Sequence, residues 1–466
     1  MKKSRVIISV LLALSLILGS IFISSADQDI DPDHFFKLGL FWGSTSVNEV
    51  RLHSDYGFLV YDSNYNLIDE IDEEDLDIDI YSDLLSHKEN ILFMCAADDE
   101  DDRIVTLYTD EATKRSDASV LNNDFSKGVD LRDGVILYEN SGLRVINFID
   151  VEHYVWGVVN KEMSYSRPLE ALKAQAVCAR TYAARCKFVD GGHDNYGFDI
   201  CPTTDCQVYG GIKGEHKITT QACRETEGMI FTYKGEPAYS YFSSSNGGYT
   251  LSLYDAWGLD DVPYLVTSYD EFNPNTTPAS PWKFYNTFEE IRAKLINAGY
   301  RDVGKVESVA VTNTNSCGAV TQITVTGTVN TVVVPRSRIM SVFNLKSSFF
   351  VLGNSDYKTF KLDDSGLPSS SSDYYVLSAD GVHKVPADEL YIYDGSQTKK
   401  MVNHGDNINL GDSDVCKEGY VYWAGQGFGH SIGMSQYGAF AMADAGYEYD
   451  DIIEHYYPGV RLESLY

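Results

Sequence analysis

Between Pro168 and Cys186, the residues Leu169, Leu172, Ala176, Val177, Ala179 and Ala183 recur at helical spacing, with Pro168 and Glu170 suited to a first turn. Small residues let a neighbouring element approach closely, so the spacing predicts a helix at a packed centre. The flanking segments alternate instead. Val135-Ile136-Leu137-Tyr138 and Leu143 to Phe148 read as a hairpin joined through Asn140-Ser141-Gly142. Val320 to Val334, rich in Val and Thr around Gly327-Thr328, reads as paired strands. A second helix is signalled by the capping box Thr287-Phe288-Glu289-Glu290, the pattern Ile291, Leu295, Ala298 and the terminator Gly299. The chain closes with a strand at Tyr420 to Trp423, a glycine-rich loop, a helix from Ser435 to Ala445 stopped by Gly446, and a short helix ended by Pro458. The expected class is α+β, a mixed domain of close-packed small-residue helix and antiparallel strands. A small β-rich region precedes it, with strands at His34 to Trp42 and Gly57 to Tyr61.

At 466 residues the chain exceeds one ordinary core. The expected division is a leader at 1–26, a β-rich accessory region at 27–128, and a main domain at 129–466 carrying an insertion at 366–414 behind the Ser369 to Ser372 tract. Met1-Lys2-Lys3-Ser4-Arg5 supplies a basic start, and Val6 to Ser24 is a nearly unbroken apolar run ending in Ser24-Ser25-Ala26. The run suits export, and its length is compatible with both a cleaved signal peptide and a retained anchor. The expected location is extracytoplasmic, secreted or anchored to the cell membrane. A formal charge of -31 argues against a nucleic-acid partner, which needs clustered cations, and leaves a neutral glycan compatible. The acidic stretches Asp69 to Asp79 and Asp98 to Asp102 read as solvated surface, with calcium the alternative. Eight scattered cysteines are too sparse for a disulfide scaffold.

Two segments carry more than packing. Gly157 to Met163 places Glu162 in a loop between an apolar strand-like stretch and the Pro168 helix, where a half-buried carboxyl can hold its proton. Taken alone, a loop glutamate is more often a cap or a surface charge. In Gly425 to Gly438, five glycines interleave with aromatic and hydrogen-bonding side chains, as in a binding wall or a tight set of turns. No Gly-Lys-Ser/Thr ending makes it a phosphate loop.

Asp150 to Met163 followed by Pro168 to Ala183 resembles the signature of the stage II sporulation protein D and LytB family. Further agreement lies at Gln207-Val208-Tyr209-Gly210-Gly211, Tyr241 to Gly248, Pro263-Tyr264-Leu265, the strands near Val325 and the Gly425 to Gly438 loop, covering roughly 130–355 and 419–466. The resemblance implies a peptidoglycan lytic transglycosylase in cell-wall remodelling, with Glu162 as the catalytic acid and base. It would cleave MurNAc-GlcNAc glycan strands to 1,6-anhydro-MurNAc ends. By the same carry-over His430, Ser435, Gln436 and Asn246 line the substrate groove and Tyr437 stacks on a sugar. Ser164 stands where the family usually has proline, which loosens the loop after Glu162.

No cofactor is required by this chemistry. Some relatives bind structural zinc in the region matching Cys201, Cys206 and His193, and a Cys201–Cys206 disulfide is the alternative. The family also implies a rival role, a non-catalytic wall-binding enhancer of an N-acetylmuramoyl-L-alanine amidase, which would make that enzyme a partner. A hydrolytic muramidase is a third reading, and the biological setting stays open between sporulation and vegetative growth.

Overall fold

The computed structural model describes residues 30–71, 77–82, 85, 90–109, 124–274, 277–353 and 419–466, with short strands between 361 and 416. The expected leader lies outside these residues. Of the expected insertion at 366–414, only the strands Asp373–Ser378, Gly381–Pro386, Tyr391–Tyr393 and Thr398–Lys400 are described. Among the described residues no helix is long and apolar enough to cross a membrane. The class is α+β, with eight helices and mostly antiparallel sheets among the described residues. The chain divides into two compact units, residues 1–239 with 461–466, and residues 240–460.

The first unit begins with two antiparallel sheets. Strands β1 (Phe35–Phe41), β3 (Phe58–Tyr61), β4 (Leu67–Ile71), β6 (Asn90–Cys95), β9 (Gly134–Glu139) and β10 (Leu143–Asp150) make a six-stranded sheet in the order β1-β10-β9-β6-β3-β4. Strands β2 (Glu49–His53), β5 (Asp77–Tyr81), β7 (Ile104–Tyr108) and β8 (Val129–Arg132) make a four-stranded one. The hairpin expected at Asn140-Ser141-Gly142 is present, with Leu143 opposite Glu139 and Phe148 opposite Gly134. Most of β10 is buried, because neighbours cover both faces. Phe148 joins a cluster with Phe35, Phe198 and Cys201, whereas Phe36, pointing the other way, meets Tyr154 edge-on at 5.5 Å.

Three helices follow: α1 (Val151–Glu162), α2 (Leu169–Arg185) and α3 (Lys217–Arg224). Helix α1 corrects the strand-and-loop expectation for the stretch before Pro168. Val155, Val158 and Val159 suggest a strand, but Asp150 caps the segment by accepting from the Glu152 N–H at 2.7 Å. Every residue from Val151 to Val159 is buried, so no polar stripe reveals the helical period. Helix α2 matches the expected range, and Ala171, Ala174, Ala176, Ala179, Ala183 and Ala184 are fully buried along it. Its Cys178, like Cys186 just beyond, is buried as expected of a small apolar side chain. The final strand Arg461–Ser464 closes the unit by pairing antiparallel with Met229–Tyr233.

In the second unit, Trp282–Thr287, Tyr420–Gln426 and Phe349–Gly353 form one sheet, and Thr331–Pro335, Val320–Gly327, Val306–Thr314 and Val415–Cys416 another. The helix Phe288–Asn297 starts at the expected capping box, the Thr287 and Glu290 side chains each accepting from the other's backbone N–H. Helix Arg336–Phe343 packs on the same core, which centres on fully buried Trp423. The terminal helices Gln436–Asp444 and Tyr449–Tyr456 also match expectation.

Arg180 of α2 is fully buried and donates to both carboxylate oxygens of Glu152 in α1, at 2.7 and 2.5 Å. Replacing Glu152 with Gln leaves that guanidinium without its counter-charge, a change that costs about 3–5 kcal/mol in buried pairs. The unfolding transition of the first unit, followed in urea, should fall accordingly. A loss below about 1 kcal/mol would show the pair to be dispensable.

Candidate functional site

Glu162 is the last residue of α1, so its carboxyl sits at the negative end of the helix dipole. It is partly buried, and its Oε1 accepts from the Val208 N–H at 3.2 Å. Burial outweighs that hydrogen bond and holds its pKa above the ordinary 4.5, favouring the protonated acid. The segment carrying Val208 is clamped to α1 at several points. Tyr154 Oη donates to Gln207 Oε1 at 3.1 Å, the Gly210 N–H to Gly157 O at 3.0 Å, and Asn160 Nδ2 to Gly214 O at 2.9 Å. Gly157 is required here, since a Cβ would come within 2.3 Å of the buried Tyr209 ring.

Cys206 precedes Val208 by two residues, and its thiol lies in a second candidate site. The ligand atoms of His193, Cys201 and Cys206 fall within 4.8 Å of one another. His193 Nε2 is 3.3 Å from Cys206 Sγ, which also accepts from the Cys201 N–H at 3.4 Å. A tetrahedral zinc sets such atoms roughly 3.5–3.8 Å apart, so two sulfurs and an imidazole fit after a small closure. Both thiols are free, and the Cys201 thiol is drawn down to about 5, chiefly by its hydrogen bond with Cys206. The loop is secured to β1, where Gly39 N–H donates to Ile200 O at 3.0 Å and Lys37 N–H to Asp199 Oδ2 at 2.8 Å.

The remaining expected site residues lie in the second unit. Asn246 and Ser435 are fully buried and share one hub, Asn273 Oδ1, which accepts from Ser435 Oγ at 2.9 Å, Ser245 Oγ at 3.0 Å and the Asn246 N–H at 3.3 Å. Asn246 Nδ2 donates to Asp270 Oδ2 at 2.6 Å, and Tyr456 Oη donates to the same oxygen at 2.8 Å. Ser435 also caps the helix Gln436–Asp444, so its hydrogen bonds and those of Asn246 shape the loop from beneath. Gln436 is buried, and the Tyr437 ring packs edge-on against Phe440 at 5.2 Å.

His430 stands between Tyr241 and Trp257, with ring centroids at 6.0 and 5.3 Å. Its Nδ1 accepts from the Ile432 N–H at 3.0 Å, and the ring also bonds the Phe242 backbone. Burial pushes its pKa down to about 4, so it is a neutral, oriented ring rather than a proton carrier near neutrality. Gly433 is needed beside it, with φ at +65° and only 2.1 Å from a Cβ to the Tyr241 carbonyl.

Asn160 and Val208 lie within segments quoted from the sequence, but their roles were not legible there, because Val208 acts through its backbone N–H and Asn160 through contacts to a distant loop. The Asn273–Asp270 hub lies outside those segments and acts through buried polar groups that carry no motif.

The sequence model described as stage II sporulation protein matches residues 139–233, spanning Glu162 and the His193–Cys201–Cys206 group. The chain is 32% identical over 317 residues to the amidase enhancer of Bacillus subtilis, covering 66% of this chain and 40% of that protein. It is 26% identical over 342 residues to stage II sporulation protein D of Bacillus subtilis, covering 70% of this chain and 78% of the relative. An uncharacterized protein of Brachyspira hyodysenteriae is 29% identical over 323 residues, 69% of each chain. The chain thus spans well under half the length of the amidase enhancer.

The depressed pKa of His430 has a consequence for stability. From the ordinary 6.5 down to about 4, the unfolded chain binds a proton at His430 that the folded chain does not. The second unit should therefore lose stability as pH falls through that window. Urea midpoints measured across it should slope less in His430→Gln, and an unchanged slope would mean that His430 titrates normally.

Proposed function

The chain belongs to the stage II sporulation protein D and LytB family, and on that premise we propose that it is a peptidoglycan lytic transglycosylase with Glu162 as its acid and base. The reading is carried by the carboxyl of Glu162, whose burial at a helix C-terminus favours the protonated state that glycosidic bond cleavage must start from. Glu162 protonates the oxygen leaving MurNAc C1 as the bond to GlcNAc breaks. The resulting carboxylate accepts the proton of the MurNAc C6 hydroxyl as that oxygen closes on C1, giving the 1,6-anhydro sugar. The proton returns to Glu162, and no second carboxylate is needed to activate water. The substrate is then the glycan strand, met outside the cytoplasm.

A second reading has its own observation, the relative named amidase enhancer. Under it the protein binds the wall and assists a cell-wall amidase without cutting glycan.

The His193, Cys201 and Cys206 side chains are proposed to hold a structural zinc. The metal would supply a rigid crosslink. Its ligand loop leads within two residues to Val208, so these residues would hold the N–H that Glu162 accepts from. EDTA should then lower the melting temperature of the wild type and leave Cys206→Ser unaffected. A wild type insensitive to EDTA and lacking two reactive thiols would indicate the disulfide instead.

The test of the main reading is mass spectrometry of products from denuded glycan strands. Wild type should yield anhydro-MurNAc ends, and Glu162→Gln should lower the rate by about 10²- to 10⁴-fold. Reducing MurNAc ends would identify a hydrolase, and no cleavage by folded wild type would favour the enhancer. Because the acid form is required and its pKa is raised, the rate should fall as pH climbs through a value above 4.5.

A further inference from the structure

Three residues beyond Glu162, the Tyr165 ring lies flat on His216, with centroids 3.8 Å apart and planes 16° from parallel. His216 covers one face, while Tyr165 remains 46% exposed. A single exposed tyrosine is ordinary, but this one is held in place from several sides. Its backbone N–H donates to Asn160 Oδ1 at 3.2 Å, and Asn160 Nδ2 in turn donates to Gly214 O at 2.9 Å. The Ser164 and Ser166 hydroxyls pair at 3.1 Å, and the Arg167 N–H reaches Ser164 O at 3.1 Å. Beneath it, His216 caps α3 by accepting from the Ile218 N–H at Nδ1, 3.3 Å away, and Thr219 Oγ1 donates to His216 O at 2.9 Å. The platform is therefore assembled from both segments that frame Glu162, the end of α1 and the loop leading into α3.

Resting on the reading of Glu162 above, we infer that the Tyr165 ring, braced by His216 and positioned by Asn160, is a stacking subsite for a pyranose ring adjoining the bond to be cleaved. A pyranose presents an apolar C–H face, and an aromatic surface already held flat loses little rotamer freedom in receiving it. The same brace restrains the turn in which Ser164 replaces proline. Stacking keeps the glycan seated and leaves proton transfer to Glu162, so Tyr165 is a positioning residue.

The test uses the full chain with purified denuded glycan strands. Binding is measured in a Glu162→Gln background, where no cleavage occurs, and turnover in the otherwise wild-type protein. Removing one aromatic stack of about 0.5–1.5 kcal/mol should weaken binding by about 2- to 10-fold in Tyr165→Ala, while Tyr165→Phe binds as before. KM should rise more than kcat falls, and the melting temperature should hold because the ring is exposed. His216→Ala, which frees the ring, should give a smaller loss in the same direction. Unchanged binding in Tyr165→Ala, or equal losses in Ala and Phe, overturns the subsite while leaving the role of Glu162 untouched. If wild type proves unable to cleave, the binding measurement still decides the subsite.

Discussion

The carboxylate of Glu152 is the point on which the first unit depends. It takes two hydrogen bonds from the buried guanidinium of Arg180, accepts the Gly228 N–H at 3.0 Å, and accepts from Tyr466 Oη at 3.0 Å just past the last strand. Burying two opposite charges yields little net stability, because desolvation offsets their attraction. The consequence is geometric: any arrangement that separates α1, α2, the turn at Gly228 or the returning terminus leaves a buried charged or polar group unsatisfied. Helix α1 is thereby locked, and Glu162 stands ten residues further along it, about 15 Å away.

Each end of α1 holds a carboxyl that burial pushes above its ordinary range, in a different setting. At the N-terminus Asp133 is fully buried yet has His153 Nδ1 2.9 Å from each oxygen, and the Asp150 N–H donates to it at 2.8 Å. Asp150 accepts the Glu152 N–H, but burial, with Asp133 adding to it, pushes its pKa up to about 6. At the C-terminus the dipole is reversed, and the Val208 N–H offsets only part of the desolvation of Glu162. Glu162, unlike the fully buried Asp133, is partly exposed, so its proton can be exchanged with a bound molecule.

The two glycine-rich or polar segments of the second unit show the same economy. Ser435 of the Gly425 to Gly438 loop donates to Asn273, and Asn246 of the earlier segment donates to Asp270, so both side chains are held inside the unit. What it presents nearer the surface is the neutral His430 ring with Tyr241 and Trp257. These residues share one composition along the chain, and burial divides them into support and surface.

Local rules determined much of this protein from sequence alone. The hairpin at Asn140-Ser141-Gly142, the small-residue helix after Pro168, the capping box at Thr287 and the helix stopped at Gly446 each follow from contacts a few residues apart. A dense motif likewise marked Glu162. Only the tertiary structure decided that the segment before it is helical, since a helix buried on every side loses the polar stripe that would reveal its period. It alone brought Val208 to Glu162, His193 to Cys206 and His216 under Tyr165. Those pairings join residues 13 to 51 positions apart, and no periodicity in the chain encodes which distant groups will share one desolvated space.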